Sequence, residues 1–156
     1  MTNTGTDADV AVAAALAGAV VVRAMFGSAL ARFDKSGGDF ATTADLEAEK
    51  AVIGIIRAAR PADAVTGEES GRDDAGGAER RWLVDPLCGT LNYAARSMLA
   101  AVNVALLAGP GITAAAAADP FSGEVFWTDG TASPCTPGQA VSSRQLTARP
   151  TPCCWK

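Results

Sequence analysis

No histidine occurs anywhere in the 156 residues. That excludes Ser-His-Asp and Cys-His catalysis, His-ligated zinc and HExxH proteases. No basic run occurs either, and the formal net charge is −4. Nucleic acid and anionic membrane surfaces are therefore not expected partners. The longest apolar stretch, Val10 to Val22, lies between Asp9 and Arg23 and is half alanine. It falls short of the ~20 residues of a membrane span. Asp7 and Asp9 precede it, where a secretory signal carries positive charge. The four cysteines lack zinc-site spacing, and Cys153 and Cys154 are adjacent. No disulfide framework is implied, and a cytoplasmic chain with reduced thiols is the expectation. What is present is ordinary for one globular domain: 49% hydrophobic and 19% charged residues.

The pattern along the chain starts helical. Residues 7 to 32 read as one helix with a break near Gly27, capped by Thr6 or Asp7. Residues 34 to 42, DKSGGDFAT, read as a polar link. A second helix is predicted from Ala44 to Ala59. Asp45, Glu47 and Glu49 stand near its positive end, Arg57 and Arg60 near its negative end, and Pro61 stops it. Leu46, Ile53 and Ile56, with Val52, Ile55 and Ala59, form its predicted buried face.

Short strands follow. Ala64 to Thr66 lead into GEES and Trp82 to Val84 into DPLCGT, with the charged RDDAGGAERR read as an exposed loop between them. Residues 98 to 108 and 112 to 118, joined by AGPG, predict a hairpin. The turn in DPFSG precedes a last strand, EVFWT. Helices followed by an antiparallel run indicate an α+β layered sandwich. The domain is expected over residues 1–130. From Thr131 onward there is no Asp or Glu, and three of the four Cys lie there. Residues 131–156 therefore read as an irregular tail, either a solvated coil or the product of a shifted reading frame.

The chemistry is carried by carboxylates. Asp39 and Asp45 flank the second helix start, Glu68 and Glu69 follow one strand, and Asp85 ends another. Carboxylates gathered at a sheet edge need protons or cations to neutralise them, and hard oxygen ligands suit Mg²⁺. Taken singly, each reads first as a solvated turn residue; GEE and DPxxGT after successive strands favour the site. In DPLCGTLNYAAR, Gly89 and Thr90 open a predicted helix over 90 to 96, whose first N–H groups can bind phosphate. Carboxylates next to such a turn describe metal-assisted phosphoester hydrolysis.

These segments carry a resemblance. KSGGDFATTAD (residues 35–45), TGEES (66–70), WLVDPLCGTLNY (82–93) and DPFSGEVFW (119–127) resemble the inositol monophosphatase family, within the magnesium-dependent, lithium-sensitive phosphatases. The likeness runs from about Asp7 to Gly130. The family's W-x-x-D-P-x-D-G-T-x-N-F is matched by Trp82, Asp85, Pro86, Gly89, Thr90 and Asn92, with Tyr93 for the final Phe. The resemblance implies the N-terminal part of the family's sandwich and a Mg²⁺-dependent phosphomonoesterase for a small phosphorylated substrate. Mn²⁺ or Ca²⁺ could substitute for Mg²⁺. It implies Glu68 as a ligand of a first metal, Asp85 bridging two metals and the Leu87 carbonyl completing the first site. Thr90 would work with Glu68 on the attacking water. Asp45 would hold a third metal and help activate that water. Gly89 and Thr90 would supply phosphate-binding amides. Glu69 and Lys35 are peripheral in this scheme. Family members are commonly homodimers, and a homo-oligomer is expected.

Two departures bear on activity. Cys88 stands where the family has the second Asp of its motif. A thiol prefers softer metals than Mg²⁺. Cys88 is read as a small buried hydrophobe, an altered metal ligand or a nucleophile. Against the last, Arg96 follows it with seven residues between, not the five of C-x5-R phosphatases. The family's later W-D-x-A motif has no counterpart, since the last Asp here is Asp129. Impaired hydrolysis follows as the expectation, with an inactive metal- or phosphate-binding member, or an assembly partner, as the alternative.

Overall fold

The computed structural model describes residues 5–35, 37, 39–73 and 79–131. Helix α1 spans Asp7–Met25. Thr6 and Asp9 form its capping box: the Asp9 N–H donates to Thr6 Oγ1 at 3.2 Å and the Thr6 N–H to Asp9 Oδ2 at 2.9 Å. The helix ends well before residue 32. Phe26 is already extended and Gly27 takes a left-handed φ of 76°. At 19 residues, α1 has the length and hydropathy of a membrane span, beyond the shorter stretch read from sequence. Its Ala-rich face nevertheless packs into the core of this domain.

The expected polar link is a small hairpin. Strands β1 (Arg32–Asp34) and β2 (Phe40–Thr42) pair antiparallel. The Lys35 N–H closes the turn onto the Asp39 carbonyl at 2.8 Å. Helix α2 spans Thr43–Ala59, matching the expectation. Its buried face shares Val52 and Ile56 with the predicted one and is otherwise rotated. Ala44, Asp45, Ala48, Glu49, Val52 and Ile56 are buried, while Leu46, Ile53 and Ala59 are half-buried and Ile55 is exposed. The small Ala44 and Ala48 let the helix approach its neighbours on the side that carries Asp45 and Glu49.

The remaining elements are β3 (Ala64–Gly67), β4 (Gly71–Asp73), β5 (Arg80–Cys88), α3 (Thr90–Ala94), β6 (Ala101–Ala108), β7 (Gly111–Ala118) and β8 (Val125–Thr128). They include the predicted hairpin, and the Ala114 to Ala118 run is strand. β4 occupies the start of the segment read as a loop; residues 74–78 of that segment lie outside the described residues. The six strands run in the order β4-β3-β5-β6-β7-β8. The sheet is mixed, not antiparallel throughout, because β3 and β5 pair in parallel.

Period-2 alternation sends Trp82, Val84, Val102, Val104, Leu106, Ala114, Ala116 and Ala118 to the buried face. There they join the core formed by α1 and α2. Contact is close: a Cβ added at Gly18 would lie 2.8 Å from Val52 Cγ2 and 2.9 Å from Val102 Cγ1. A polar clasp ties the strand start to both helices. Arg80 bonds Asp63 and Asp7, Arg60 Nε bonds Asp7 at 2.9 Å, and the buried Trp82 indole donates to Asp63 at 2.8 Å.

Candidate active site

The parallel pairing of β3 with β5 creates the candidate site. Gly67, the last residue of β3, is in register with Val84; β5 does not end at Asp85 as expected but runs on to Cys88, with an irregularity after Asp85. Glu68 follows Gly67, its N–H bonded to the Val84 carbonyl at 3.1 Å, and Asp85 follows Val84 in β5. Asp85 is half-buried, with Oδ1 buried and without a hydrogen-bond partner. Asn103 Nδ2 reaches Oδ2 only at 3.5 Å. Burial pushes the Asp85 carboxyl above its usual range, and the Glu68 charge adds to the rise.

Asp45 reaches the same edge from the start of α2. It is 2% exposed, and both oxygens are engaged. Oδ2 accepts from the Thr42 N–H at 2.7 Å and the Thr42 hydroxyl at 2.6 Å, the capping contacts of the helix. Oδ1 accepts from Thr90 Oγ1 at 2.9 Å. Thr90 Oγ1 also lies 3.1 Å from the Leu87 carbonyl. The one hydroxyl proton is shared between these two acceptors, which leaves its lone pairs for an incoming donor. Gly89 caps the five-residue α3 with a φ of 97°. A Cβ there would also sit 2.7 Å from the Leu99 carbonyl. Only glycine suits this turn.

The predicted residues thus divide into two pairs. Glu68 and Asp85 stand together where β3 ends; Asp45 and Thr90 are joined by a hydrogen bond. Thr90 bonds Asp45 and Leu87, whereas Glu68 bonds Lys35 Nζ at 3.1 Å. Among the described residues, no three Asp, Glu, His or Cys side chains converge closely enough to hold a metal ion. Cys88 is exposed, against the reading of a buried hydrophobe, because the ladder is irregular between Asp85 and Cys88. Burial first, and then the Asp85 charge, push its thiol up, which leaves little thiolate for a nucleophile.

For a hard divalent cation the donor set fits one ion. The unpartnered Asp85 oxygen, the Glu68 carboxylate and the Leu87 carbonyl are oxygen donors of the right chemistry. A second ion finds only the exposed Cys88 thiol beside Asp85 and does not fit.

Three polar residues contribute more than the sequence suggested. The Glu69 side chain is 5% exposed and takes Lys35 Nζ at 2.7 Å. Burial raises its carboxyl against that contact. Lys35 itself is held protonated: burial lowers its ammonium, but Glu69 and Glu68 outweigh burial. Glu49, 3% exposed, accepts the N–H groups of Glu69 and Ser70, each at 2.8 Å. The four-residue spacing of Asp45 and Glu49 on one helix was the available signal. Asp39 is exposed and accepts from the Phe40 N–H, away from these pairs. A groove of about 280 Å³ borders the site at Thr42, lined by Arg32, Phe40, Tyr93 and Arg96.

The described residues superpose on about half of several solved structures. The suppressor protein suhB of Bartonella henselae superposes with a TM-score of 0.76 at 28% identity, covering 80% of this chain and 49% of that one. An inositol-1-monophosphatase of Caulobacter vibrioides is 36% identical over 96 residues, 61% of this chain and 38% of that protein. The Nus factor SuhB of Escherichia coli K12 is 34% identical over 92 residues, 59% of this chain and 34% of that protein. A family model for the inositol monophosphatase family matches residues 3–147. The chain belongs to the inositol monophosphatase family. It spans less than half the length of each of these relatives.

Proposed function

We propose that this chain supplies the cation- and phosphate-holding part of a Mg²⁺-dependent phosphomonoesterase with impaired turnover. Its substrate class is a small phosphorylated polyol, sugar or nucleotide. The observation that carries the reading is the unpartnered Asp85 oxygen beside Glu68. A buried carboxylate oxygen without a partner costs free energy that a bound cation recovers. Glu68, Asp85 and the Leu87 carbonyl hold the ion, with Mn²⁺ or Ca²⁺ as substitutes and an affinity on the order of millimolar. When bound, the ion supplies positive charge to the phosphoryl oxygens and lowers the pKa of a nearby water.

The chain's own residues do the rest. Asp45 holds the Thr90 hydroxyl so that its lone pairs accept a hydrogen bond from the attacking water; the proton the water loses passes to Thr90 Oγ1 as Thr90 gives its own to the Asp45 carboxylate. The N–H groups of Gly89 and Thr90 take the phosphate oxygens at the opening of α3. Cys88 leaves the second cation without a hard ligand, so charge on the leaving oxygen goes unstabilised. Losing such stabilisation costs about 10²–10³ in rate per group.

A second reading, a non-catalytic assembly role, is favoured by the relative named as a Nus factor. The exposed apolar side chains around α3, Leu91, Met98 and Leu99, suit a homodimer contact under either reading. A cytoplasmic location completes the proposal; the tail expected over 131–156 lies, past Thr131, outside the described residues.

The test is hydrolysis of inositol 1-phosphate and p-nitrophenyl phosphate with Mg²⁺ and Mn²⁺, alongside cation titration of the native chain and Asp85→Asn. The expected result is cation binding lost in the variant, with turnover far below the usual ~1–10³ s⁻¹. Ordinary turnover refutes the impairment. Identical titrations of the two proteins refute the cation site.

A further inference from the structure

The mechanism uses Asp45 but leaves the other buried acid of α2, Glu49, without a role. The residue is 3% exposed. Both carboxylate oxygens point at backbone. Oε2 accepts from the Glu69 N–H and Oε1 from the Ser70 N–H, each at 2.8 Å. A carboxylate that takes two successive N–H groups fixes the peptide plane between them. The turn so fixed is the one that carries Glu68.

Gly67 shows how little room the arrangement has. A Cβ at that position would lie 2.5 Å from Glu49 Cδ and 2.6 Å from each carboxylate oxygen. The glycine ahead of Glu68 therefore admits the carboxylate to the turn. On the outer side, Lys35 Nζ bonds the carboxylates of both Glu68 and Glu69. The turn is held by its backbone from within and by its side chains from without.

We infer that Glu49 is a positioning residue of the cation site, its carboxylate clamping the Glu69 and Ser70 amides so that Glu68 is presented beside Asp85. Glu49 acts through Glu68 and touches neither ion nor substrate. The inference rests on Glu68 being a cation ligand, as proposed above. It adds that the helix bearing Asp45 sets both pairs of the site: Asp45 orients Thr90 and, one turn on, Glu49 orients Glu68.

The experiment uses the full chain. In its metal-free amide NMR spectrum, the Glu69 and Ser70 protons should lie downfield and exchange slowly, as N–H groups bonded to a carboxylate do. Glu49→Gln offers one carbonyl oxygen and one NH₂ group, so at least one of the two amides should lose that signature. Mn²⁺ affinity, read by electron paramagnetic resonance, should fall by about 10–100-fold in Glu49→Gln, the usual loss when a partner of a metal ligand is removed. Gly67→Ala should lower it likewise, from the opposite side of the contact. Glu68→Gln should weaken Mn²⁺ binding yet leave both amide signatures intact. Should Glu49→Gln fail to fold, the native amides and Gly67→Ala decide the matter. Unprotected Glu69 and Ser70 amides in the native chain overturn the inference. So does undiminished Mn²⁺ affinity in a folded Glu49→Gln, which leaves the cation reading standing. A native chain that binds no Mn²⁺ overturns both, with the amide signature showing whether the clamp exists without that role.

Discussion

Tyr93 is the single tyrosine of the chain and stands where the family motif ends in phenylalanine. Its ring is 2% exposed and meets Phe26 edge-on at 5.4 Å between centroids. Its hydroxyl donates to the Val22 carbonyl at 2.7 Å. That carbonyl lies in the last turn of α1, and the N–H four residues on, that of Phe26, is drawn to Arg23 instead. Tyr93 therefore satisfies one of the orphan carbonyls that every helix end leaves. Tyr93→Phe restores the family residue, keeps the ring and strands a buried acceptor. Leaving a buried polar group unsatisfied costs about 1–3 kcal/mol. For a domain of this size each kcal/mol moves Tm by roughly 3–5 °C. A drop on the order of 5–10 °C is expected, with the urea m-value unchanged. The same tyrosine reports on pH. Burial, and secondarily the Asp45 charge, push the phenol up to about 12. The folded state thus keeps a proton that the unfolded chain releases near ~10. Its contribution to stability is complete below that value and is lost as pH rises toward 12. Absorbance at the phenolate band follows one residue, because there is no other tyrosine. A titration midpoint near 10 in the folded chain, or a Tyr93→Phe variant as stable as the native, would refute this account of the contact.

Further outcomes follow from the clasp and from Cys88. Asp63→Asn removes the charged acceptor of Arg80 and of the Trp82 indole. The loss in urea unfolding should be about 2–3 kcal/mol, below the ~3–5 of a fully buried pair because the Arg80 side chain is 37% exposed. Asp7 is raised by burial, but its bonds to Arg80 and Arg60 outweigh this and hold its carboxyl below the usual range. Its stabilisation is present above the unfolded value of about 4 and is lost as pH falls through the lower folded value. Native and Asp7→Asn stabilities should therefore converge in strong acid. Cys88→Asp should raise Mg²⁺ or Mn²⁺ affinity in calorimetry without raising turnover comparably. Equal gains in both would show that one ligand was the whole deficit.

Much of the fold was legible because its signals are local. Thr42 and Asp45 announce the start of α2, Pro61 its end, and the AGPG and DPFSG turns bracket β7. The carboxylates were legible as types at spacings. Their partners were not, because those depend on which strands meet. Composition cannot tell that Ala44 and Ala48 are fully buried while Leu46 and Ile53 are only half-buried; side-chain size next to a sheet decides it. The rotation of the helix also buries Glu49, which in sequence is an ordinary acid near a helix start. Cys88 was misplaced for a similar reason. Free cysteine is usually buried like a small hydrophobe, but the irregular ladder after Asp85 turns that position outward. The end of α1 was misread because an Ala- and Leu-bearing stretch past Gly27 keeps its helical composition after the backbone has left the helix.

One topological step accounts for the site. In an antiparallel pair, the end of one strand lies beside the start of the next, so residues that follow two such strands sit at opposite edges. Read as an antiparallel run, GEES and DPLCGT would not meet. β3 and β5 are the only parallel pair among the described strands, and Glu68 follows Gly67 as Asp85 follows its register partner, Val84. Parallel pairing places Glu68 and Asp85 side by side, and the helix that precedes β3 delivers Asp45 and Glu49 to the same edge. Four acids are thereby concentrated at one place in a chain whose net charge is only −4. The structure relieves three of them internally. Thr42 and Thr90 bond Asp45, two backbone amides bond Glu49, and Lys35 bonds Glu68. Asp85 is left with a distant Asn103 and a buried bare oxygen. The acid without relief is the one proposed to hold the cation, and three residues on, where the resembled motif has its second Asp, this chain carries Cys88.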